Sequence, residues 1–178
     1  RIETYSKFLI DSLANYDLKD LSLCGHSMGG LVALDMVIKH NYSAKSLILV
    51  NSIYPTRVAD ALLAKAEIGN GHAADFISKY GLYRRLLGLK NAFSDGNEPV
   101  MLNDLEACNN YQLDIDELKN LRISISIILG SKDRLVDLEA VKKFTNVVPS
   151  HTYNMDEVGH FSFFEDPEEL SKLIFEIV

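Results

Sequence analysis

The sequence predicts an α/β fold, with a mostly parallel sheet that carries helices on both faces. Apolar runs with the length and composition of buried strands alternate along the chain with longer runs of helical periodicity. Residues 21–25 form one such strand and lead directly into a helix over residues 31–40. Two further runs, KSLILV at residues 45–50 and ISISIIL at residues 123–129, are rich in the aliphatic and β-branched residues of strands.

The chain begins with a predicted amphipathic helix over residues 1–16. Its apolar face comprises Ile2, Tyr5, Leu9, Leu13 and Tyr16. In the strand that follows, we expect Cys24 to be a small buried side chain with no reactive role.

A long segment, residues 55–120, separates the strand at residues 45–50 from the strand at residues 123–129. It contains no convincing strand and is predicted to form helices near residues 56–68, 72–88 and 98–110. The segment is too long for a single crossover, which favours an inserted helical unit over ordinary crossover helices.

The last part of the chain returns to alternating strands and helices. We predict a helix over residues 138–147, a short strand over residues 151–155 and a final helix that begins at Asp166 and Pro167. An Asp N-cap accepts a free backbone N–H and a proline fits the first turn of a helix. The glutamates that follow are therefore interpreted as first-turn charges of this helix.

The junction between the first strand and its helix has the sequence Gly25-His26-Ser27-Met28-Gly29. A turn this sharp brings the strand and helix backbones close together, so we expect the positions two before and two after the serine to need glycine. The Ser27 hydroxyl should then stand at the carboxyl end of the strand, beside a helix N-terminus.

Two further motifs follow the later strands. Gly130 and Asp133 lie just after the strand at residues 123–129, and Gly159 and His160 lie after the last strand. With its chain order of Ser, Asp and His, the sequence resembles the α/β-hydrolase family from its first residue to its last. The spacing from Gly159 and His160 to Glu165 and Pro167 is similar to the histidine loop of that family.

This resemblance implies a role for each of the three residues. Ser27 would be the nucleophile, His160 the general base and Asp133 the acid that orients His160. The backbone N–H of Met28 would bind the oxyanion of the tetrahedral intermediate.

Other residues could take these roles. Asp137 is a rival for the acid, although it better serves the start of the following helix. The other position at which the family carries an acid, after residue 50, holds Asn51 and Ser52. The remaining histidines are interpreted as structural residues, and His26 should point away from Ser27; they are His26, His40, His72 and His151.

In the family, a helical segment such as residues 55–120 forms a lid over the active site. The candidate substrate-binding residues in it are Phe76, Tyr80, Tyr83, Arg84 and Arg85. Residues 76–94 contain four basic side chains and no acid. This charge suggests an anionic substrate, such as an acyl group on an acidic carrier protein, although a solvated basic face is the simpler interpretation.

Composition excludes several classes of function. The 178 residues fit a single domain, the formal net charge of −7 disfavours nucleic-acid binding, and no apolar run is long enough to span a membrane. The two cysteines indicate no disulfide framework, and no metal-ligand pattern is visible. We therefore expect no metal and no cofactor, with the cytoplasm as the default location.

Only residues 1–20 precede the strand that leads to Ser27, whereas similar chains carry several strands there. We therefore expect the chain to be the C-terminal portion of the fold, with an N-terminal segment or a second chain that pairs with residues 21–25 and supplies a second oxyanion donor.

The expected reaction is hydrolysis of a carboxylic ester or thioester through an acyl-enzyme on Ser27. Alternatives are carbon–carbon bond hydrolysis or perhydrolysis with the same three residues, or a non-catalytic ligand-binding receptor.

Overall fold

Four strands pair in parallel, in their sequence order, to form one sheet. They are β1 (Ser22–His26), β2 (Ser46–Val50), β3 (Ser124–Gly130) and β4 (His151–Met155). Every residue of β2 is buried, as is every residue of β3 after the first, which fits their nearly continuous apolar sequences. The predicted parallel sheet is confirmed.

The computed structural model describes residues 1–84 and 98–178. Its described helices, numbered here in chain order, are α1 (Ile2–Leu13), α2 (Met28–Lys39), α3 (Asp60–Ile68), α4 (His72–Gly81), α5 (Glu98–Asn109), α6 (Ile115–Lys119), α7 (Leu138–Val147), α8 (Ser162–Glu165) and α9 (Pro167–Ile177).

Helices cover both faces of the sheet because alternate strand residues point in opposite directions. Leu47 and Leu49 of β2 belong to a large cluster that includes residues of α1, α2 and α7. Ile48 and Val50 belong to a second cluster, with Leu170 of α9. The two-sided arrangement predicted from the sequence is confirmed.

Strand β1 lies at one edge of the described sheet, with β2 as its described neighbour. Its Cys24 is exposed, so the expectation that this side chain is buried was wrong. The reason is position in the sheet: the apolar character of a strand does not reveal whether it is central or at an edge.

Helix α1 is shorter than predicted and buries only part of the predicted face. Ile2 is fully buried, but Leu9 and Tyr16 are exposed. The other buried residue of this helix is Ser6. Its hydroxyl donates to the fully buried Asp35 carboxylate. Tyr111 donates to the other oxygen of Asp35, at 2.8 Å. A buried carboxylate needs such donors, which is why a polar residue replaces an apolar one here.

The described parts of residues 55–120 contain helices and no strand, as predicted. Helices α3 and α5 agree with the predicted elements within a few residues, and α4 ends earlier, at Gly81. Helix α6 was not predicted, although it begins with a capping box: Asp114 accepts from the Asp116 N–H, and Glu117 accepts from the Asp114 N–H. Arg85 lies outside the described residues.

Of the helices that the structure describes, none has the length and apolar content required to cross a bilayer.

Candidate active site at the carboxyl edge of the sheet

Ser27 occupies the turn between β1 and α2 in a backbone conformation that residues other than glycine rarely adopt, with φ 51° and ψ −121°. Such a conformation persists only where the surroundings fix it. Here the Ser27 N–H donates to the Val50 carbonyl at 3.0 Å, and the Ser52 hydroxyl donates to the Ser27 carbonyl at 2.7 Å. The end of β2 therefore holds the turn from both sides.

The glycines of the turn differ in what they permit. A Cβ on Gly25 would lie 2.3 Å from the Gly29 carbonyl oxygen, so this position must lack a side chain. A Cβ on Gly29 would meet nothing within 4 Å, so the expectation for Gly29 was wrong. The second required glycine is Gly30, where a Cβ would lie 2.3 Å from the Ser52 hydroxyl oxygen. The close contact between α2 and the residues that follow β2 therefore lies at position 30 and not at position 29.

The structure brings Ser27, His160 and Asp133 into one hydrogen-bonded line. The Ser27 hydroxyl oxygen lies 3.0 Å from His160 Nε2, and His160 Nδ1 lies 2.8 Å from Asp133 Oδ2. The three residues follow β1, β4 and β3, whose carboxyl ends meet at one edge of the sheet. The His160 and Asp133 side chains are only 7% and 3% exposed, so their interaction is shielded from water.

The environment of Asp133 keeps it ionised. Burial opposes the charged form, but the hydrogen bond and charge of His160, together with hydrogen bonds from the Leu135 N–H and Asn51, outweigh it and lower the pKa of the carboxyl. The second oxygen accepts from the N–H groups of Leu135 and Val136 at 2.7 and 3.2 Å. The rival acid, Asp137, is exposed and caps α7.

Asn51 is a site residue for which the sequence predicts no role. Its side-chain N–H donates to Asp133 Oδ2 at 2.9 Å, the same oxygen that faces His160. Its side-chain oxygen accepts from the Ser162 hydroxyl at 2.8 Å, and the residue is only 1% exposed. Its position just after β2, at the same sheet edge as Ser27 and Asp133, was the available signal.

His26 packs beside the site, where it contacts His160. Its Nε2 is 2.7 Å from the His160 carbonyl oxygen, and the centroids of the two imidazole rings are 4.9 Å apart. Burial, with the charge of His160 second, lowers the pKa of His26 to about 4. The ring is thus neutral at pH 7, and since a carbonyl can only accept, Nε2 carries the proton.

Met28 begins α2, so its backbone N–H is among those of the first turn that have no acceptor within the helix. The ring centroids of Phe76 and Tyr80, both on α4, lie 4.4 Å apart with the ring planes tilted by 40°, and Phe76 packs against the large core cluster. Tyr83 is 41% exposed. The Arg84 guanidinium contacts the Asp166 carboxylate at 3.5 Å. It also donates to the backbone carbonyls of Glu157 and Glu165, the two ends of residues 157–165, which we name the histidine loop.

Within residues 1–84 and 98–178, no group of three or more His, Cys, Asp or Glu side chains is arranged to hold a metal ion.

A model of the alpha/beta hydrolase family matches residues 2–173. The chain belongs to the alpha/beta hydrolase family. This membership confirms the resemblance inferred from the three motifs.

Among the curated relatives of this alpha/beta hydrolase family member is a pimeloyl-[acyl-carrier protein] methyl ester esterase of Aromatoleum aromaticum. It is 27% identical over 205 residues, which cover 99% of this chain and 80% of the relative. The uncharacterized hydrolase YugF of Bacillus subtilis is 24% identical over 195 residues, which cover 99% of this chain and 71% of the relative.

Solved structures of similar fold include an esterase from Exiguobacterium antarcticum, with a TM-score of 0.87 at 19% identity over 99% of this chain and 73% of that chain. The enol-lactonase of Burkholderia xenovorans superposes with a TM-score of 0.80 at 16% identity over 98% of this chain and 72% of that chain. At these identities the likeness establishes the fold alone.

Proposed function

We propose that this member of the alpha/beta hydrolase family is a serine hydrolase that cleaves a carboxylic ester or thioester. The observation that carries the proposal is the line from the Ser27 hydroxyl to His160 Nε2 at 3.0 Å and from His160 Nδ1 to Asp133 at 2.8 Å. A serine hydroxyl is a weak nucleophile at neutral pH and needs a base within this distance.

The protonation states follow from the partners. The ionised Asp133 carboxylate can only accept, so His160 Nδ1 carries the proton of that hydrogen bond. His160 Nε2 then presents its lone pair to the Ser27 O–H. This is the tautomer that general-base catalysis needs, and Asp133 stabilises the imidazolium that forms when the proton moves.

In the proposed reaction Ser27 attacks the acyl carbon while His160 takes the hydroxyl proton. The tetrahedral intermediate collapses as His160 protonates the leaving alcohol or thiol, and the acyl group stays on Ser27. A water molecule, deprotonated by His160, then attacks the acyl carbon, and the bond to Ser27 breaks as His160 returns the proton to the serine oxygen and the carboxylic acid is released. The Met28 N–H, at the N-terminus of α2, is the proposed donor to the oxyanion.

We further propose that residues 55–120 form a lid over this site and contact the substrate through Phe76, Tyr80, Tyr83, Arg84 and Arg85. In support, the His160 N–H donates to the Gly81 carbonyl at 2.7 Å, so the end of α4 adjoins the histidine loop. An acyl group on a carrier protein is the proposed substrate class, in keeping with the basic side chains of this segment and with the name of one relative.

A further strand, from an N-terminal segment or a second chain, is proposed to pair with the outer edge of β1. In support, β1 lies at the edge of the described sheet and Cys24 on it is exposed, whereas Cys108 is buried. An apolar edge strand next to a site invites such pairing. In the native protein, Cys24 should therefore react slowly with a thiol reagent until the protein is unfolded. Rapid reaction in the native protein would rule the pairing out.

Labelling by a fluorophosphonate, followed by turnover of aryl esters of increasing acyl length, tests the proposed activity. The wild-type protein should be labelled and should release the aryl alcohol, while Ser27→Ala should do neither. Ser12→Ala, at an exposed serine of α1, is the matched control and should behave as wild type. A folded wild-type protein that binds ligands but is neither labelled nor active would instead be a non-catalytic binding protein.

A further inference from the structure

Glu165, at the end of α8, holds a buried carboxylate that takes no part in the proposed reaction. The residue is 5% exposed, and its oxygens accept three backbone N–H groups. One oxygen accepts from the Gly159 N–H at 3.1 Å. The other accepts from the N–H groups of Tyr83 and Arg84 at 3.0 and 2.8 Å. A single carboxylate thus joins the residue before His160 to the chain just beyond α4.

Other contacts strengthen the same junction. The His160 N–H donates to the Gly81 carbonyl at 2.7 Å. The Arg84 guanidinium donates to the carbonyls of Glu165 at 3.0 Å and Glu157 at 3.2 Å, at the two ends of the histidine loop. Residues 81–84, which we name the α4 end, therefore both donate hydrogen bonds to the histidine loop and accept one from it.

The two backbones also approach too closely to admit side chains. A Cβ on Gly159 would lie 2.5 Å from the Gly81 carbonyl oxygen and 2.8 Å from the Tyr83 nitrogen. A Cβ on Gly81 would lie 2.5 Å from a ring carbon of Phe161. The hydrogen bonds at this junction therefore act across a closely packed contact, where small displacements are resisted.

The backbone around His160 is fixed at three successive polar groups. Glu165 binds the N–H of Gly159, Gly81 binds the N–H of His160, and His26 binds the carbonyl of His160. Since the imidazole must stay in line with Ser27, the orientation of this backbone sets the distance over which the proton moves.

We propose that Glu165 is a positioning residue for His160, which it holds in register with Ser27 by bonding the histidine loop to the α4 end. The inference rests on the proposed hydrolase function and deepens it. Glutamine at this position keeps the size of the side chain but offers one acceptor oxygen, and its NH₂ group would face at least one backbone N–H. The histidine loop or the α4 end must then lose its bond.

The test compares Glu165→Gln with Glu168→Gln, a matched change at an exposed residue two positions into α9. The readouts are the rate constant for labelling of Ser27 by a small fluorophosphonate, kcat and KM for an aryl ester, and far-UV circular dichroism. We expect Glu165→Gln to lower the labelling rate and kcat by about 10- to 100-fold, with KM changed by less than about threefold. Glu168→Gln should match wild type.

A second variant keeps the inference testable if Glu165→Gln fails to fold. The Arg84 side chain is 41% exposed, so Arg84→Gln removes its bonds to the histidine loop without leaving a buried charge. We expect it to slow fluorophosphonate labelling by several-fold, a readout independent of any role in substrate binding.

The outcomes separate the two proposals. If the wild-type protein is labelled and the folded Glu165 and Arg84 variants are labelled equally fast, Glu165 has no positioning role. A fall in thermal stability with unchanged kcat would likewise overturn the inference. Absence of labelling in the wild-type protein contradicts the hydrolase function, and the inference falls with it.

Discussion

The neutral His26 ring makes the stability of this protein depend on pH, and the substitution His26→Gln should remove that dependence. The ring lies 4.8 Å from the Phe163 ring and 4.9 Å from the His160 ring. Burial and the charge of His160 lower its pKa, and they outweigh the opposing effects of the His160 carbonyl and the Asp133 charge. Glutamine keeps a side-chain N–H that can donate to the carbonyl but does not titrate.

The magnitude follows from the difference between the folded and unfolded pKa values. His26 falls from 6.5 in the unfolded chain to about 4 in the folded protein. Between these values the unfolded state binds more protons, so the free energy of unfolding rises with pH. The shift of about 2.5 units, at 1.36 kcal/mol per unit, gives about 3 kcal/mol. This contribution is fully present above pH 6.5 and is lost as the pH falls to about 4.

Urea unfolding at several values between about pH 7.5 and pH 4 measures this effect. The wild-type protein should lose about 3 kcal/mol more than His26→Gln over that range, because only the wild type has a buried imidazole to protonate. His72→Gln, at an exposed histidine of α4, is the control and should follow wild type. Parallel curves for wild type and His26→Gln would refute the reasoning.

Three further predictions follow from the site. Gly25→Ala should prevent the turn at Ser27 from forming, because its Cβ would lie 2.3 Å from the Gly29 carbonyl oxygen. Gly29→Ala, the control, should fold normally. Equal thermal unfolding midpoints for the two variants would contradict this. Asp133→Asn should lower kcat on the order of 10⁴-fold with the fold retained, since the amide favours the wrong tautomer of His160, and steady-state kinetics would show it. Asn51→Ala removes a buried donor to Asp133 and should lower kcat/KM by about 10-fold; an unchanged value would exclude a contribution from that hydrogen bond.

The order of helices and strands could be predicted because each strand and amphipathic helix carries its own periodic signal. Helix α7 and strand β4 have the predicted bounds, and Asp166 caps α9 as expected, accepting from the Glu169 N–H at 3.2 Å. Capping and apolar periodicity are local, so they can be identified without knowing what packs against them.

Several features that the sequence did not reveal depend on contacts between distant parts of the chain. The exposure of Cys24 depends on where β1 lies in the sheet, and the freedom at Gly29 depends on the path of α2 past β2. The placement of His26 beside His160 joins residues 134 positions apart. None of these relations leaves a periodic trace in the sequence.

The candidate site was predicted to the extent that its residues follow strands. Ser27, Asp133 and His160 were named because each lies in a glycine-containing motif after a strand, in the chain order of the alpha/beta hydrolase family. Asn51 also follows a strand but was considered only as a place where an acid is lacking. Its amide could be recognised as a partner of Asp133 only once their separation of 2.9 Å was known.

The distribution of the site over β1, β3 and β4 has a consequence for how the protein matures. Ser27 and His160 are 133 positions apart, so a chain still being synthesised has no His160 imidazole beside the Ser27 hydroxyl until β4 and residue 160 have left the ribosome. Nucleophilic reactivity at Ser27 should therefore appear late and all at once, and its onset would report that β1 to β4 have assembled.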